Sequence, residues 1–83
     1  MRSLELRGVV TVEGRPVRDA VVELHNPAGD VLTQVQVDAE GHFVFYLAPG
    51  SWSLHSWDGH GHRGTAEVTL EGDQGRSTFI DLR

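Results

Sequence analysis

The sequence predicts an all-β protein, a seven-stranded antiparallel sandwich, on two positive observations and one absence. Hydrophobic and polar residues alternate over nearly the whole chain, and this period of two places every second side chain on the same face of a strand. Turn-forming residues interrupt the alternation at intervals of roughly 8–12 residues, which is typical of sandwiches. No window carries the i, i+3, i+4, i+7 stripe of an amphipathic helix.

The first three predicted strands cover 4–12, 20–25 and 31–37. The turn between the first two is Glu13-Gly14-Arg15-Pro16, where Gly permits a positive φ and Pro fixes φ at a negative value. The next turn, 26–30, contains Asn-Pro and Gly for the same reasons. The residues predicted to face inward are Leu4, Leu6, Gly8, Val10, Val12, Ala20, Val22, Leu24, Val31, Thr33, Val35 and Val37.

Four more strands are predicted at 42–47, 51–57, 65–70 and 77–82. The turn segments 38–41, 48–50 and 71–75 separate them, together with a glycine-spaced loop at 58–64. Their inward residues are Phe43, Phe45, Leu47, Trp52, Leu54, Ala66, Val68, Leu70, Thr78, Ile80 and Leu82. One apolar face per strand is enough for two sheets packed about 10 Å apart.

Length and composition restrict the function. A chain of 83 residues forms one domain, 1–83, and its net charge of −5 argues against a nucleic-acid partner. No apolar run approaches the ~20 residues that span a bilayer, so no membrane partner is expected. The absence of cysteine excludes disulfides, thiolate metal sites and a cysteine nucleophile. The start of the chain lacks the apolar stretch of a secretory signal, and a cytoplasmic protein is expected.

Three motifs occur in an order that resembles a known family. They are Gly14-Arg15-Pro16-Val17-x-x-Ala20, Asp38-x-x-Gly41-x-Phe43-x-Phe45 and Pro49-Gly50-x-Trp52-x-Leu54. This order resembles the carboxypeptidase regulatory-like domain, and the resemblance implies a transthyretin-like (prealbumin-like), Ig-like sandwich of seven strands with Greek-key connections. The segment 45–54 is most similar to small stand-alone bacterial proteins of unknown function, encoded beside thiosulfate sulfurtransferases. Those proteins usually carry an N-terminal Cys that this chain lacks, so sulfur transfer by its own thiol is excluded.

The enzymes that share this fold need residues that the chain does not have. Hydroxyisourate hydrolases end in Tyr-Arg-Gly-Ser, whereas this sequence ends in Phe-Ile-Asp-Leu-Arg. Intradiol dioxygenases hold iron with two tyrosines and two histidines, and Tyr46 is the single tyrosine here. The serines around position 53 lie outside any nucleophile-elbow motif. We therefore expect no catalytic residue, and we expect that the protein is not an enzyme.

Asp58, His60 and His62 are the candidate metal ligands. Two imidazoles and a carboxylate suit Zn²⁺, Ni²⁺ or Cu²⁺, and residues two apart on an extended backbone point to the same side. The glycines of this loop make it flexible, so organising it around a metal costs entropy. We therefore expect no resident cofactor, and only adventitious Zn or Ni at His60 and His62. His25 and His42 are interpreted as ordinary residues that flank turns.

Alternation also leaves apolar side chains outside the predicted core. They are Val9, Val21, Leu32, Val44, Tyr46, Trp57 and Phe79. If the strands 42–47 and 51–57 pair, then Val44, Tyr46 and Trp57 become neighbours, with His55 beside them. Such a surface would bind a protein partner, a second copy of the chain or a sugar ring.

The sequence therefore predicts a non-catalytic binding or scaffolding module. It would bind a protein partner or form a homodimer through an outer sheet face or an open edge strand. One alternative is a histidine-based metal-binding accessory protein. A second alternative is an accessory subunit of a sulfur or secondary-metabolic enzyme system.

Overall fold

The computed structural model describes residues 3–83, which form two β-sheets of four strands each and no helix. The strands are β1 (Leu4–Val12), β2 (Arg15–Pro16), β3 (Val21–His25), β4 (Val31–Gln36), β5 (His42–Leu47), β6 (Gly50–Trp57), β7 (Arg63–Leu70) and β8 (Arg76–Leu82). The predicted all-β sandwich is confirmed. All seven predicted strands are present within two residues of their predicted ends.

Sheet A contains β1, β2, β5 and β8, with β1 in the centre. One edge of β1 pairs with β8, and the other edge pairs first with β5 and then with the short β2. The β1–β8 pair is parallel, which differs from the purely antiparallel prediction. The first and last strands of the chain therefore run side by side in the same direction.

Sheet B has the strand order β4-β3-β6-β7, and all of its pairs are antiparallel. The consecutive strands β4 and β5 therefore belong to different sheets, and so do β7 and β8. The connections after β4 and β7 cross from one sheet to the other, whereas the turn after β6 closes a hairpin within sheet B.

The eighth strand, β2, is an addition to the seven predicted. Arg15 and Pro16 pair with the last two residues of β1 across a two-residue loop, Glu13-Gly14. Both loop residues have positive φ, at 52° and 77°, as a type I′ hairpin turn requires. The sequence pattern marked this segment as a turn, and the turn is tight enough for one side of it to join the sheet.

The core lies between the two sheets and takes its side chains from both. Its buried members are Leu4, Leu6, Val10, Ala20, Val22, Leu24, Val37, Phe43, Phe45, Leu54, Val68, Leu70, Ile80 and Leu82. All fourteen were predicted to face inward. Trp52 is partly buried against this core, and its Nε1–H donates a hydrogen bond to Ala48 O at 3.1 Å.

The prediction for β4 was wrong in part. Val31 and Thr33 are exposed, whereas Val35 and Val37 pack against the core or lie in it. The pairing of β4 with β3 shifts register between Leu24 and His25, which is a β-bulge. The bulge at Leu32 places Val31 opposite His25 on the outer face, whereas Thr33 keeps its inward register opposite Leu24 and is exposed on an edge strand that has a neighbour on one side only.

The edges of the two sheets meet along two sides of the sandwich. On one side, the backbones of Arg63 and Arg83 exchange two hydrogen bonds of 3.2 and 3.0 Å, which tie the start of β7 to the end of the chain after β8. Beyond that contact, β7 and β8 each pair with one strand only within residues 3–83. On the other side, which we call the open side, lie β4 and β5, and the outer edges of both are unpaired within residues 3–83.

Three five-residue turns share one geometry. They are 26–30, 38–42 and 58–62, and each begins with Asn or Asp and has Gly in fourth place. The three glycines have φ between 78° and 89°. In each turn the side-chain oxygen of the first residue accepts the backbone N–H of the fifth, at 2.9 Å. This is the Asx-turn chemistry by which Asn and Asp favour reversals.

Within residues 3–83, every buried side-chain nitrogen or oxygen has a hydrogen-bond partner. Ser56 is an example, because its Oγ–H donates to Val21 O at 2.8 Å. The described residues contain no helix that is long and apolar enough to cross a membrane.

Candidate functional site

The outer face of sheet A carries an apolar surface that we call the A-face patch, formed by Val9, Val44, Tyr46 and Phe79. Tyr46 is 68% exposed and Phe79 is 74% exposed, so water covers most of both rings. Val9 on the central strand lies opposite Phe79, which places apolar side chains from all three long strands on one face. Patches of this kind mark interaction sites more often than single exposed residues do.

A charged pair crosses the A-face patch. Arg7 lies opposite Val44, and its guanidinium contacts the Glu5 carboxylate at 2.8 Å. Arg7, Val9, His42, Val44 and Phe79 line an open groove of about 420 Å³. The groove therefore offers an apolar floor with one cation and one histidine at its sides.

The outer face of sheet B carries a different cluster, formed by Glu23, His25 and His55. The two imidazole rings stack with their centroids 3.9 Å apart and their planes at 17°. A hydrogen bond of 2.8 Å joins His25 Nε2 and Glu23 Oε1. Trp57 and Arg63 lie opposite each other at the next position along β6 and β7, beside an open cleft of about 500 Å³.

The predicted binding surface of Val44, Tyr46, His55 and Trp57 is not one surface. It required the strands 42–47 and 51–57 to pair, but β5 pairs with β1 in sheet A and β6 pairs with β3 and β7 in sheet B. Val44 and Tyr46 therefore lie on one outer face of the sandwich, and His55 and Trp57 lie on the opposite face. The chain crosses between sheets three times before β6, the last time between β5 and β6, and local alternation does not reveal such crossings.

His25 was interpreted as a residue that flanks a turn, but it is part of the sheet B cluster. Its side chain is 15% exposed and is held between Glu23 and the His55 ring. The signal in the sequence was its position two residues after Glu23 on the same strand face. The position of His55 opposite Glu23 depends on the register between β3 and β6, which alternation does not supply.

Asp58, His60 and His62 are brought together, but as a turn rather than as an open metal site. Asp58 Oδ1 accepts the backbone N–H groups of His60 and His62 at 2.8 and 2.9 Å. Its Oδ2 lies 2.6 Å from His62 Nδ1. His60 turns toward a different carboxylate, with its Nε2 3.4 Å from Asp19 Oδ2.

The turns 38–42 and 58–62 each lower the pKa of the aspartate with which they begin. Burial would raise the pKa of Asp58, but the N–H of His60, the His62 ring and the His62 N–H together lower it to about 2. At the equivalent position in the preceding turn, the hydrogen bond from the His42 N–H is the main cause of a lowered pKa of Asp38. Both carboxylates are therefore ionised acceptors committed to their own backbone turns.

A different trio has ligand atoms that converge. Among the residues that the structure describes, Asp38, Glu40 and His42 have ligand atoms within 4.8 Å of one another, and all three are exposed. Among the same described residues, the ligand atoms of Asp58, His60 and His62 do not converge in this way, and neither do those of Glu23, His25 and His55. Since Asp38 already accepts two backbone N–H groups, this arrangement serves first as a turn.

These features define a class, that of small β-sandwich domains with one open side and an apolar outer face. The chain belongs to the DUF1416 family, described as a protein of unknown function, whose model matches residues 2–81. No curated protein matches the chain. The resemblance to the carboxypeptidase regulatory-like domain remains a resemblance.

Solved structures with similar folds come from proteins of different kinds. A DUF3823 family protein from Parabacteroides merdae ATCC 43184 has a TM-score of 0.76 at 20% identity, over 98% of this chain and 46% of that one. The minor pilin GBS52 of Streptococcus agalactiae has a TM-score of 0.72 at 19% identity, over 98% and 43%. The 3-chlorocatechol 1,2-dioxygenase of Rhodococcus opacus 1CP has a TM-score of 0.57 at 14% identity, over 98% and 60%.

This chain spans less than two thirds of each of these three proteins. A pilin and an oxygenase share one sandwich, which illustrates that function depends on the site and not on the fold. The similarity therefore establishes the β-sandwich, and the function has to be argued from the side chains and the strand edges.

Proposed function

We propose that this protein is a non-catalytic binding module that takes an extended polypeptide segment along the outer edge of β5, next to the A-face patch. The observation that carries this proposal is the open side of the sandwich, where β5 is unpaired along one edge among the residues that the structure describes and bears exposed Val44 and Tyr46. An unpaired strand edge offers main-chain hydrogen bonds, and the side chains beside it give specificity.

The register of sheet A determines which backbone groups β5 offers. The Val10 N–H donates to Gly41 O, so the residues that continue this hydrogen-bonded alternation, Phe43, Phe45 and Leu47, face β1. His42, Val44 and Tyr46 face outward. His42 is occupied, because its N–H donates to Asp38 Oδ1 and its C=O accepts the Asp38 N–H. Val44 and Tyr46 therefore present the available donors and acceptors.

The side chains of β5 do not protect this edge. Natural edge strands are usually blunted by Lys, Pro or a bulge. The strand His42–Leu47 contains no Lys, Arg, Asp, Glu or Pro and pairs with β1 without a register shift. The other open strand, β4, does carry a bulge. This contrast supports β5 as the edge that serves binding.

The distribution of titratable groups supports a role without catalysis. The two carboxylates with lowered pKa, Asp38 and Asp58, are engaged in turns, whereas catalysis needs perturbed groups that face a substrate cleft. The grooves on the two outer faces are open to solvent rather than enclosed. Open grooves do not exclude water from a reaction, and exclusion of water is part of most catalytic sites.

Site-specific photocrosslinking tests the proposal. A photoreactive phenylalanine analogue is placed at position 46, and in a separate sample at Glu67, an exposed residue on the outer face of sheet B. We expect a polypeptide adduct at position 46 that disappears when Val44→Lys is added, and no adduct at position 67. Equal labelling at both positions, or none at position 46, would contradict the proposed function.

A further inference from the structure

We infer that the polypeptide on the β5 edge is β5 of a second copy of this chain, antiparallel to the first, with Val44 opposite Tyr46 of the second copy. This inference rests on the proposed function and names the occupant of the same site. The result is a two-fold dimer in which the two A sheets join into one continuous sheet.

The available backbone groups select the register. A two-fold axis perpendicular to the sheet keeps the outer faces of the two copies on the same side. The residues whose backbone groups point away from β1, His42, Val44 and Tyr46, must therefore pair with one another. If Val44 lies opposite Tyr46 of the second copy, all the outward N–H and C=O groups of these residues are used, in four hydrogen bonds. If Val44 lay opposite Val44, Tyr46 would face His42, whose N–H and C=O are already bonded to Asp38.

The side chains fit the same register. On the outer face, each Val44 meets a Tyr46 ring, and aromatic and β-branched residues are a favourable cross-strand pair. On the inner face, the two Phe45 residues meet at the axis. The arrangement covers two of the large apolar side chains that are exposed in the single chain, Val44 at 39% and Tyr46 at 68%.

The charge of the chain is compatible with a second copy, because the pairing keeps acidic groups apart. The acidic turn before β5 contains Asp38 and Glu40, and β5 begins at His42. In this register about six residue steps of strand separate His42 of one copy from His42 of the other, which is about 20 Å. This is about two Debye lengths at 0.1 M salt, where the length is about 10 Å, so the net charge of −5 adds little repulsion at the junction.

The corresponding edge of β4 lacks this combination. Its outward residues with unpaired backbone groups are Gln34 and Gln36. In a single copy of the protein, the amide side chains of both are exposed to water. Burying them against a second copy gains little apolar contact. The bulge beside Leu32 also limits the regular length of this edge. Both differences assign the dimer to β5.

The register is tested by disulfide trapping, which is clean because the chain has no cysteine. Val44→Cys and Tyr46→Cys are made separately, mixed and oxidised. Residues opposite each other in a hydrogen-bonded pair have Cα atoms about 5.5 Å apart, within the disulfide range of roughly 4.4–6.8 Å. In a dimer of the Val44→Cys variant alone, the two introduced cysteines would be offset by a further two residues along the strand. Their Cα atoms would then be about 8 Å apart, which is too far for a disulfide.

We expect the mixture to give at least about tenfold more disulfide dimer than either variant alone, because only the mixture satisfies that distance. Sedimentation velocity should show a dimer for the native chain and for Leu32→Lys on β4, and a monomer for Tyr46→Lys. Circular dichroism confirms that each variant is folded, as expected for exposed positions.

A monomeric native chain, or a mixture that traps no more dimer than the single variants, would overturn the inference. The proposed function fails separately. If position 46 photocrosslinks to another protein while the cysteines do not trap each other, β5 binds a strand, but that strand comes from another protein. If position 46 makes no adduct at all, both ideas fall together.

Discussion

Gly8 has a missing side chain that lets the centre of sheet A pack closely. It lies in the centre of β1 opposite Phe43, and a Cβ at this position would lie 2.4 Å from the tip of the Phe43 ring and 2.8 Å from Thr78 O. We expect Gly8→Ala to destabilise the fold by ~1–3 kcal/mol, the usual cost of overpacking a core. Urea unfolding followed by tryptophan fluorescence measures the loss.

A double-mutant cycle identifies the cause. Phe43→Leu removes the ring atoms that the new methyl group would meet, so in the Gly8→Ala background it should cost less than in the native chain. Relief should be partial, since the contact with Thr78 O stays. Strict additivity of the two substitutions would show that the ring is not what excludes a side chain at position 8.

Asp58 gives the protein a specific sensitivity to acid. Its usual pKa of 3.8 falls to about 2 in the folded chain, so its ionised form favours folding. The contribution is complete above about pH 4 and is lost as the pH falls through about 2. Asp58→Asn should lower Tm at pH 6, and the difference from the native chain should shrink between pH 4 and pH 2.

The turn that begins at Asp38 supplies the matched control for Asp58. Asp38 accepts backbone N–H groups from the same two positions of its turn as Asp58 does. The Asp38 side chain is 54% exposed and lies 3.7 Å from the His42 ring, whereas the Asp58 side chain is 2% exposed and lies 2.6 Å from the His62 ring. Asp38→Asn should therefore lower Tm at pH 6 by less than Asp58→Asn does. If both variants keep the native dependence of Tm on pH, the turn carboxylates are not the groups that acid titrates.

At the scale of elements, two of the Asx turns allow the cost of a positive φ at glycine to be separated from the cost of a steric clash with a new Cβ. Gly41 and Gly61 occupy the same place in their turns, with φ of 78° and 89°. Either substitution by alanine costs about 1–2 kcal/mol for the left-handed conformation. At Gly41 the new Cβ would also lie 2.7 Å from Val10 O, whereas space at Gly61 is open. Gly41→Ala should thus be clearly the more destabilising in urea unfolding, and equal losses would show that only φ matters.

The faces of the strands were predictable from the sequence because alternation is a local property. Every residue in the core cluster, from Leu4 to Leu82, was expected to face inward. The exceptions are Val31, which a bulge moves to the outer face, and Thr33, which keeps its inward register but lies exposed on an edge strand. The short β2 was missed for a related reason, since a two-residue strand is too short to show a period.

The candidate sites were less predictable because they depend on which strands pair. The turn 38–42 crosses between sheets and the turn 58–62 closes a hairpin, yet both read Asp-x-x-Gly-His. The local sequence does not show which of these turns crosses between sheets and which closes a hairpin. The same ambiguity applies to the turn 48–50, which crosses between sheets where the prediction had two paired strands, so Val44 and Tyr46 were placed beside Trp57. The stacking of His25 on His55 was missed because it depends on the pairing of β3 with β6.

At the scale of the whole molecule, the asymmetry of the sandwich limits where it binds. The end of the chain hydrogen-bonds to the start of β7, and β7 and β8 both contain charged residues, so the uncharged edges available for association are those of β4 and β5. The two outer faces differ as well, with an apolar patch on sheet A and a histidine–carboxylate cluster on sheet B. A single fold thus presents one edge for strand pairing and two chemically distinct faces.

The same topology makes the pairing in the centre of sheet A a contact between residues far apart in the sequence. Its strands β1 and β8 pair over residues 6–12 and 76–82, and Thr11 donates to Asp81 across 70 residues. Closing so long a loop before its contacts form slows folding, and sandwiches fold in milliseconds to seconds. A permutant that opens the chain in the exposed turn 71–75 and joins 83 to 3 would reduce this separation to less than half.

Because β1 and β8 are parallel, the joining segment must run back along the sheet for about 30 Å, and a flexible linker of about 20 residues is long enough. All other strand pairs keep their sequence separation, and only the contact of β8 with β7 becomes distant. We expect the permutant to fold several-fold faster in stopped-flow fluorescence, with a smaller change in unfolding rate. An unchanged folding rate would mean that the β1–β8 pair forms after the rate-limiting step, and that sheet B nucleates the fold.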